Sequence, residues 1–175
     1  MRPRTISLRL LTILAAGFLI APTGAQAAAP AITSFSPSSG TIGTSVTIAG
    51  TGFTGTTSVG FAGAVADFKV MGNKKIVVTA PNNVATGKIT VKSAKGTGTS
   101  KTNFTATPGA DLSPSSGAPL ATVTVSGAGF KPSTAVDIYF DLTEQALAIT
   151  SARGTISMQI QVPASAQPGA HWVSL

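Results

Sequence analysis

The chain has no cysteine in its 175 residues. Disulfides, thiolate metal sites and a cysteine nucleophile are therefore all excluded. It has a single histidine, His171, so a metal site built on several imidazoles fails on supply. Only 10% of its residues are charged, and it holds one Trp and one Tyr. A Ser-His-Asp arrangement would have to be assembled around His171, yet the nucleophile-elbow motif G-x-S-x-G does not occur. No window keeps a helical period of 3.6 for ten residues, and after residue 21 there is no second long apolar run.

The one such run lies at the start. Arg2, Arg4 and Arg9 precede or border Leu10–Ala21 (LLTILAAGFLIA), and Ala25-Gln26-Ala27 is a small-x-small cleavage site. A bilayer of ~30 Å needs about 20 helical residues, so this run is too short to span one. It reads as a secretory signal peptide over 1–27, with a mature chain from Ala28 that is secreted or displayed at a cell surface. The absence of a cysteine after the run excludes a lipoprotein anchor, and no membrane span is expected in the mature chain.

Removal of three arginines lowers the formal charge from +7 to +4. The halves then differ: residues 28–107 hold seven lysines and only Asp67, while 108–175 hold Lys131 and Arg153 against Asp111, Asp137, Asp141 and Glu144.

What is present in abundance is Val, Ile, Thr, Ser, Gly and Pro, with apolar and polar residues alternating at the strand period of two. Strands are predicted at 31–36, 45–49, 58–62, 66–71, 75–80, 87–92 and 101–106. Val46 with Ile48, Val59 with Phe61, Ile76 with Val78, and Ile89 with Val91 should point inward. The stretch Phe35–Phe53 (FSPSSGTIGTSVTIAGTGF) returns as Leu112–Phe130 (LSPSSGAPLATVTVSGAGF), 77 positions on. Pro163 and Gly169 answer Pro81 and Gly87 at an offset of 82, which places a five-residue insertion within 141–153. The expectation is all-β: two tandem immunoglobulin-like β-sandwiches, 28–107 and 108–175, joined by a short Pro-containing linker. The second copy stops before a counterpart of the first copy's last strand. Either a longer protein or a partner strand would complete it, because an unpaired edge invites aggregation.

The repeated pattern reads as a folding instruction. Pro37 and Gly40 shape a corner, and the glycines before Phe53 let that ring turn inward. The SPSSG…GT-x-VTI-x-G-x-GF pattern resembles the IPT/TIG family of immunoglobulin-like domains. Val59-Gly-Phe61, Ile76–Pro81 and Thr86–Val91 fit the same family. The resemblance covers 30–107 and, less closely, 112–173, where Ala118-Pro-Leu-Ala121 replaces Gly-Thr. It implies seven-stranded β-sandwiches, used in bacterial surface proteins, in receptors, in some transcription factors and as spacers in polysaccharide enzymes. A fold shared that widely names no activity.

Two surfaces are candidate binding sites. Lys88 and Lys92 share the outward side of one strand, with Lys101 beside them and Lys74, Lys75 and Lys95 in nearby loops. This face would attract an anionic glycan, wall polymer or lipid headgroup; the plainer reading is a solvated lysine face. Tyr139 and Trp172 should point outward from neighbouring strands beside Asp137, either to stack on a sugar ring or to pack against an adjacent module. His171 is placed at an inward position matching Ile89. Asp137 and Asp141, four residues apart on a strand, would stand ~13 Å apart, beyond the ~5–9.5 Å of glycosidase pairs. Asp141–Glu144 lacks the alternating acids and glycine of a calcium loop. No catalytic residue, cofactor or metal is expected. Nucleic acid is not an expected partner, because export removes the chain from cytoplasmic DNA and aromatic interleaving is lacking. The expected function is a non-catalytic spacer or adhesion module, with a cell-wall polymer, a polysaccharide or adjacent modules as partners. The alternative is an N-terminal accessory, glycan-binding part of a larger exported carbohydrate-active enzyme.

Overall fold

The structure, a computed structural model, describes residues 28–175; the predicted signal peptide lies outside the described residues. These residues form fifteen strands and no helix. In chain order the first nine are β1 (Ala31–Ser36), β2 (Ser39–Gly40), β3 (Ser45–Thr51), β4 (Thr56–Phe61), β5 (Ala64–Ala66), β6 (Phe68–Val70), β7 (Lys75–Thr79), β8 (Gly87–Ser93) and β9 (Gly96–Ala106). One sheet has the order β1-β3-β7-β6 and the facing one β2-β9-β8-β4-β5.

Alternation builds this sandwich. Val46 and Ile48 on β3, Ile76 and Val78 on β7, Val59 and Phe61 on β4, and Ile89 and Val91 on β8 are fully buried in one cluster. Each such side chain contributes roughly 1.5–3 kcal/mol of transfer free energy. The predicted strand over 66–71 is in fact two. β5 pairs with β4 and β6 pairs with β7, so the chain changes sheet at Asp67. The last strand begins earlier than the predicted 101, because its first half is Gly-Thr-rich and carries no apolar alternation. Gly98 there runs so close to Pro30 that a Cβ would lie 2.3 Å from its carbonyl oxygen. Opposite Ile89, β9 bulges. Buried Ser100 fills the gap: its hydroxyl accepts from the Ile89 N–H at 2.9 Å and donates to the Thr102 carbonyl at 2.7 Å.

The repeated residues explain themselves on packing. Phe53 is fully buried, and a Cβ on Gly50 would lie 2.5 Å from the tip of its ring; the same holds at 2.8 Å for Gly127 against Phe130. Gly52 and Gly129 take positive φ, 73° and 80°, to turn those rings inward. Gly40 is required for closeness and not for an unusual turn. Its φ is ordinary, but a Cβ would meet the Thr44 side chain at 2.5 Å. In both copies the Ser–Pro bond, Ser36–Pro37 and Ser113–Pro114, is cis.

The remaining strands are β10 (Gly109–Ser113), β11 (Thr122–Ala128), β12 (Ala135–Phe140), β13 (Thr143–Ile149), β14 (Ile156–Gln161) and β15 (Val173–Ser174). They form two three-stranded sheets, β10-β11-β14 and β13-β12-β15, which share a core of Val123, Val125, Ile138, Phe140, Ile156 and Ile160, among others. Strand pairing gives the correspondence between the halves directly. Phe35 answers Leu112, an offset of 77. Phe61 answers Phe140, an offset of 79, because each closes a tight hairpin. Val78 answers Ile160 at 82, and Ile89 answers Val173 at 84. The extra residues are thus spread over three loops instead of forming one five-residue insertion. Leu120 answers Gly43 and makes the same bond, its N–H donating to Val162 at 2.8 Å as Gly43 donates to Ala80 at 2.9 Å. It does so at a φ of 68°, which costs a leucine strain.

The two sandwiches meet end to end. Ala128 of β11 belongs to the first core, and Gly129 sits where a Cβ would be 2.2 Å from the Thr107 carbonyl oxygen. Asn82 Nδ2 donates to Asp111 Oδ2 at 3.5 Å. A cleft of about 270 Å³ between them is lined by Ala62, Thr86, Phe130, Pro132 and Arg153, among others.

Candidate functional site

The lysine face is assembled only in part. Lys88 and Lys92 are both exposed on β8, alternating with buried Ile89 and Val91. Lys101 is exposed on the adjacent β9, and the Lys88 ammonium donates to the Lys101 backbone carbonyl. Lys95 lies in the β8–β9 turn. Lys74, in the β6–β7 turn, and Lys75, the first residue of β7, however, belong to the opposite sheet, so they do not extend this face. The reason is the sheet change at Asp67, which carries the following hairpin across the sandwich.

The second surface is the outer face of the β13-β12-β15 sheet. Tyr139 alternates with buried Ile138 and Phe140 and therefore points outward, as does exposed Asp137. Both line a shallow depression of about 420 Å³. Tyr139 is opposite Ser174 in the register, and Trp172, two residues before, shares that side of the chain. Trp172 is 77% exposed. Sequence reasoning missed two further members of this face. Leu147 pairs with Asp137 and Ile149 with Ala135, and both are more than half exposed while Ala148 between them is buried. Their signal was the alternation Ala146-Leu147-Ala148-Ile149, in which the small residues pack inward and the large ones face solvent.

His171 departs from expectation. It answers Gly87 and not Ile89, because the loop between β14 and β15 is two residues longer than the offset of 82 allows. It lies at the outer rim, with its ring 4.8 Å from that of Phe140. Its Nδ1 is 2.7 Å from Asp141 Oδ2 and its Nε2 is 2.7 Å from the Gln167 carbonyl oxygen. Both partners are acceptors, so only the imidazolium, with two N–H donors, satisfies both. The Gln167 carbonyl and the Asp141 carboxylate accordingly raise the His171 pKa. Asp141 sits at a φ of 51° in the β12–β13 turn. It accepts from the Trp172 N–H at 2.9 Å, and its own N–H donates to the Trp172 carbonyl at 2.7 Å. The Trp172 N–H and the His171 ring hold its carboxyl below the usual value. This clasp, the only ion pair among the described residues, fixes the backbone of Trp172.

Among the described residues no group of three or more His, Asp or Glu could hold a metal ion, and no buried side-chain nitrogen or oxygen lacks a partner. No described helix is long and apolar enough to cross a membrane.

Residues 30–106 match the family model of the IPT/TIG domain. No curated protein matches the sequence. Among solved structures, one with a xylogluco-oligosaccharide is similar at 17% identity over 80% of this chain and 36% of its own, with a TM-score of 0.43. SGBP-B from a complex xyloglucan utilization locus in Bacteroides uniformis is similar at 21% identity over 77% and 49%, with a TM-score of 0.37. The plexin A4 extracellular region is similar at 20% identity over 81% and 16%, with a TM-score of 0.39. The chain spans less than half the length of each of these structures.

Proposed function

Residues 30–106 are an IPT/TIG domain of immunoglobulin-like fold, and from that premise we propose that the chain is an exported, non-catalytic tandem of two modules, 28–107 and 108–175, that spaces and makes surface contacts. The observation that carries this reading is the outer face of the β13-β12-β15 sheet. Leu147, Ile149 and Trp172 stand exposed there beside Tyr139 and Asp137. A sheet face with an exposed Trp, a half-buried Tyr and a carboxylate suits stacking on sugar rings or packing on a neighbouring module. The second acid at this face, Asp141, is paired with His171 and holds the backbone of Trp172.

The lysines on β8 and β9 supply a second, electrostatic contact toward anionic polymer, which salt would screen within a Debye length of about 8 Å at physiological ionic strength. The same aromatic face also supports the reading of this chain as the glycan-binding accessory part of a larger exported carbohydrate-active enzyme.

A pull-down of the purified chain on insoluble polysaccharides tests the face. Retention should fall roughly tenfold in Trp172→Ala, as expected for loss of about 1.4 kcal/mol. It should fall with added salt in wild type but not in a Lys88→Ala/Lys92→Ala/Lys101→Ala variant. Retention equal to wild type in Trp172→Ala removes the aromatic face from the reading, and turnover of any polysaccharide by the chain alone removes the non-catalytic reading.

A further inference from the structure

The loop between β13 and β14 is stapled by its own hydroxyls. The Ser151 hydroxyl accepts from the Arg153 N–H at 3.1 Å and from the Thr155 N–H at 3.2 Å, and it shares a hydrogen bond with the Thr155 hydroxyl at 2.8 Å. The Gly154 N–H donates to the Ser151 carbonyl at 2.9 Å, and the Gly154 carbonyl accepts from the Phe130 N–H at 3.1 Å. Buried Thr150 donates its hydroxyl to the Lys131 carbonyl at 2.6 Å. What this frame holds out is Arg153, the one arginine of residues 28–175. Its side chain lines the cleft between the sandwiches, with one guanidinium nitrogen 3.6 Å from where a Cβ on Gly63 would lie. Ala62 and Gly63 form the tight turn between β4 and β5, and the missing side chain there makes room for the guanidinium. The only ion pair among the described residues is His171 with Asp141, so Arg153 faces no carboxylate of those residues. No residue lining the cleft is acidic.

We propose that this cleft binds a carboxylated sugar residue of an acidic polysaccharide, with Arg153 on the carboxylate. A guanidinium matches a carboxylate with two parallel N–H donors. Thr86, exposed on the opposite wall, accepts the Ala106 N–H at 3.0 Å and keeps its own O–H to donate to a sugar oxygen. Half-buried Phe130 and exposed Pro132 give the apolar face of the ring a wall. The volume of about 270 Å³ falls just below the ~300–1,000 Å³ of sites for drug-sized ligands, which suits a single ring. On the other flank of the same loop a groove of about 420 Å³ is lined by Asn82, Asn83, Ser126 and Ser157, amides and hydroxyls that suit neighbouring sugars better than the side chains of an acidic peptide. Lys88 continues the site on the first sandwich. Its carbonyl accepts from the Ala62 N–H at 2.9 Å, so the exposed row of Lys88 and Lys92 starts where the cleft ends. This inference rests on the surface-contact reading above but not on its aromatic face. Because the walls belong to different sandwiches, a bound sugar also stiffens the joint.

The test is calorimetric titration of the purified chain with tetragalacturonate, with the same tetramer carboxyl-reduced to a neutral sugar, with a sulfated tetrasaccharide and with tetraglutamate. The uronate should bind about tenfold more tightly than its neutral counterpart. Arg153→Ala should abolish that difference while leaving the thermal midpoint unchanged, and Arg153→Lys should restore part of it. Trp172→Ala should bind the uronate like wild type, so that failure of the cleft and failure of the aromatic face are read separately. At saturation the amide signals of Gly63 and Thr86 in the first sandwich and of Arg153 in the second should shift together. Four results would overturn the proposal: equal binding of the uronate and the neutral tetramer, equal binding by wild type and Arg153→Ala, tighter binding of the sulfated sugar or of tetraglutamate than of the uronate, or no binding of the uronate at millimolar concentration.

Discussion

The residues that decide most at this scale are those whose backbone or charge is unusual for their type. Leu120 holds a positive φ that its counterpart Gly43 adopts freely, and its side chain is 61% exposed, so little packing is lost by removing it. Relief of about 1–2 kcal/mol of left-handed strain outweighs the added freedom of glycine in the unfolded chain, about 0.4–1 kcal/mol. Leu120→Gly should therefore stabilise the second sandwich by about 0.5 kcal/mol, read as a higher denaturant midpoint with an unchanged slope. The His171–Asp141 clasp gives a pH signature. His171 is raised by the Gln167 carbonyl and Asp141, so its contribution is complete below about 6.5 and is lost as pH rises through its folded value. Asp141 is lowered by the Trp172 N–H and His171, so its contribution is complete above about 3.9 and is lost as pH falls through its folded value. The melting temperature of the second sandwich should thus peak between about pH 4 and 6.5. The alkaline side of that peak should flatten in His171→Ala; an unchanged profile in that variant would show that the clasp adds nothing.

At the scale of elements, the joint between the sandwiches rests on Gly129, where the turn after β11 passes Thr107 too closely for any side chain. Gly129→Ala adds about 1–2 kcal/mol of backbone strain and drives the chains apart. The expected result is a loss of about 2–3 kcal/mol in urea unfolding, together with greater hinge motion by small-angle scattering. Gly55→Ala, at a positive φ with open space around it, should cost only the strain. Strand identities and inward faces were legible because burial follows a period of two, as on β3, β4, β7 and β8. Two features were not. The sheet change at Asp67 leaves no break in an alternating pattern, since apolar residues face the same core from either sheet. The two-residue extension of the loop between β14 and β15 is invisible to a gapless match of the repeats, and it moved His171 from an imagined core position to the rim. The Asp141 clasp depends on that extension and so could not be read beforehand, whereas the outward placing of Tyr139 and Trp172 depends on alternation alone and could.

For the whole molecule, the chain enters the first sandwich at one pole, where Ala31 pairs with Thr51, and leaves it at the other, beyond Ala106. The second sandwich is stacked on that far pole. A tether pulled along this axis drags β1 and β2 one way and the end of β9 the other. Because Ser39–Gly40 lie parallel to Thr105–Ala106, their hydrogen bonds are loaded together in shear instead of being peeled one at a time. The first sandwich is in this sense a mechanical latch.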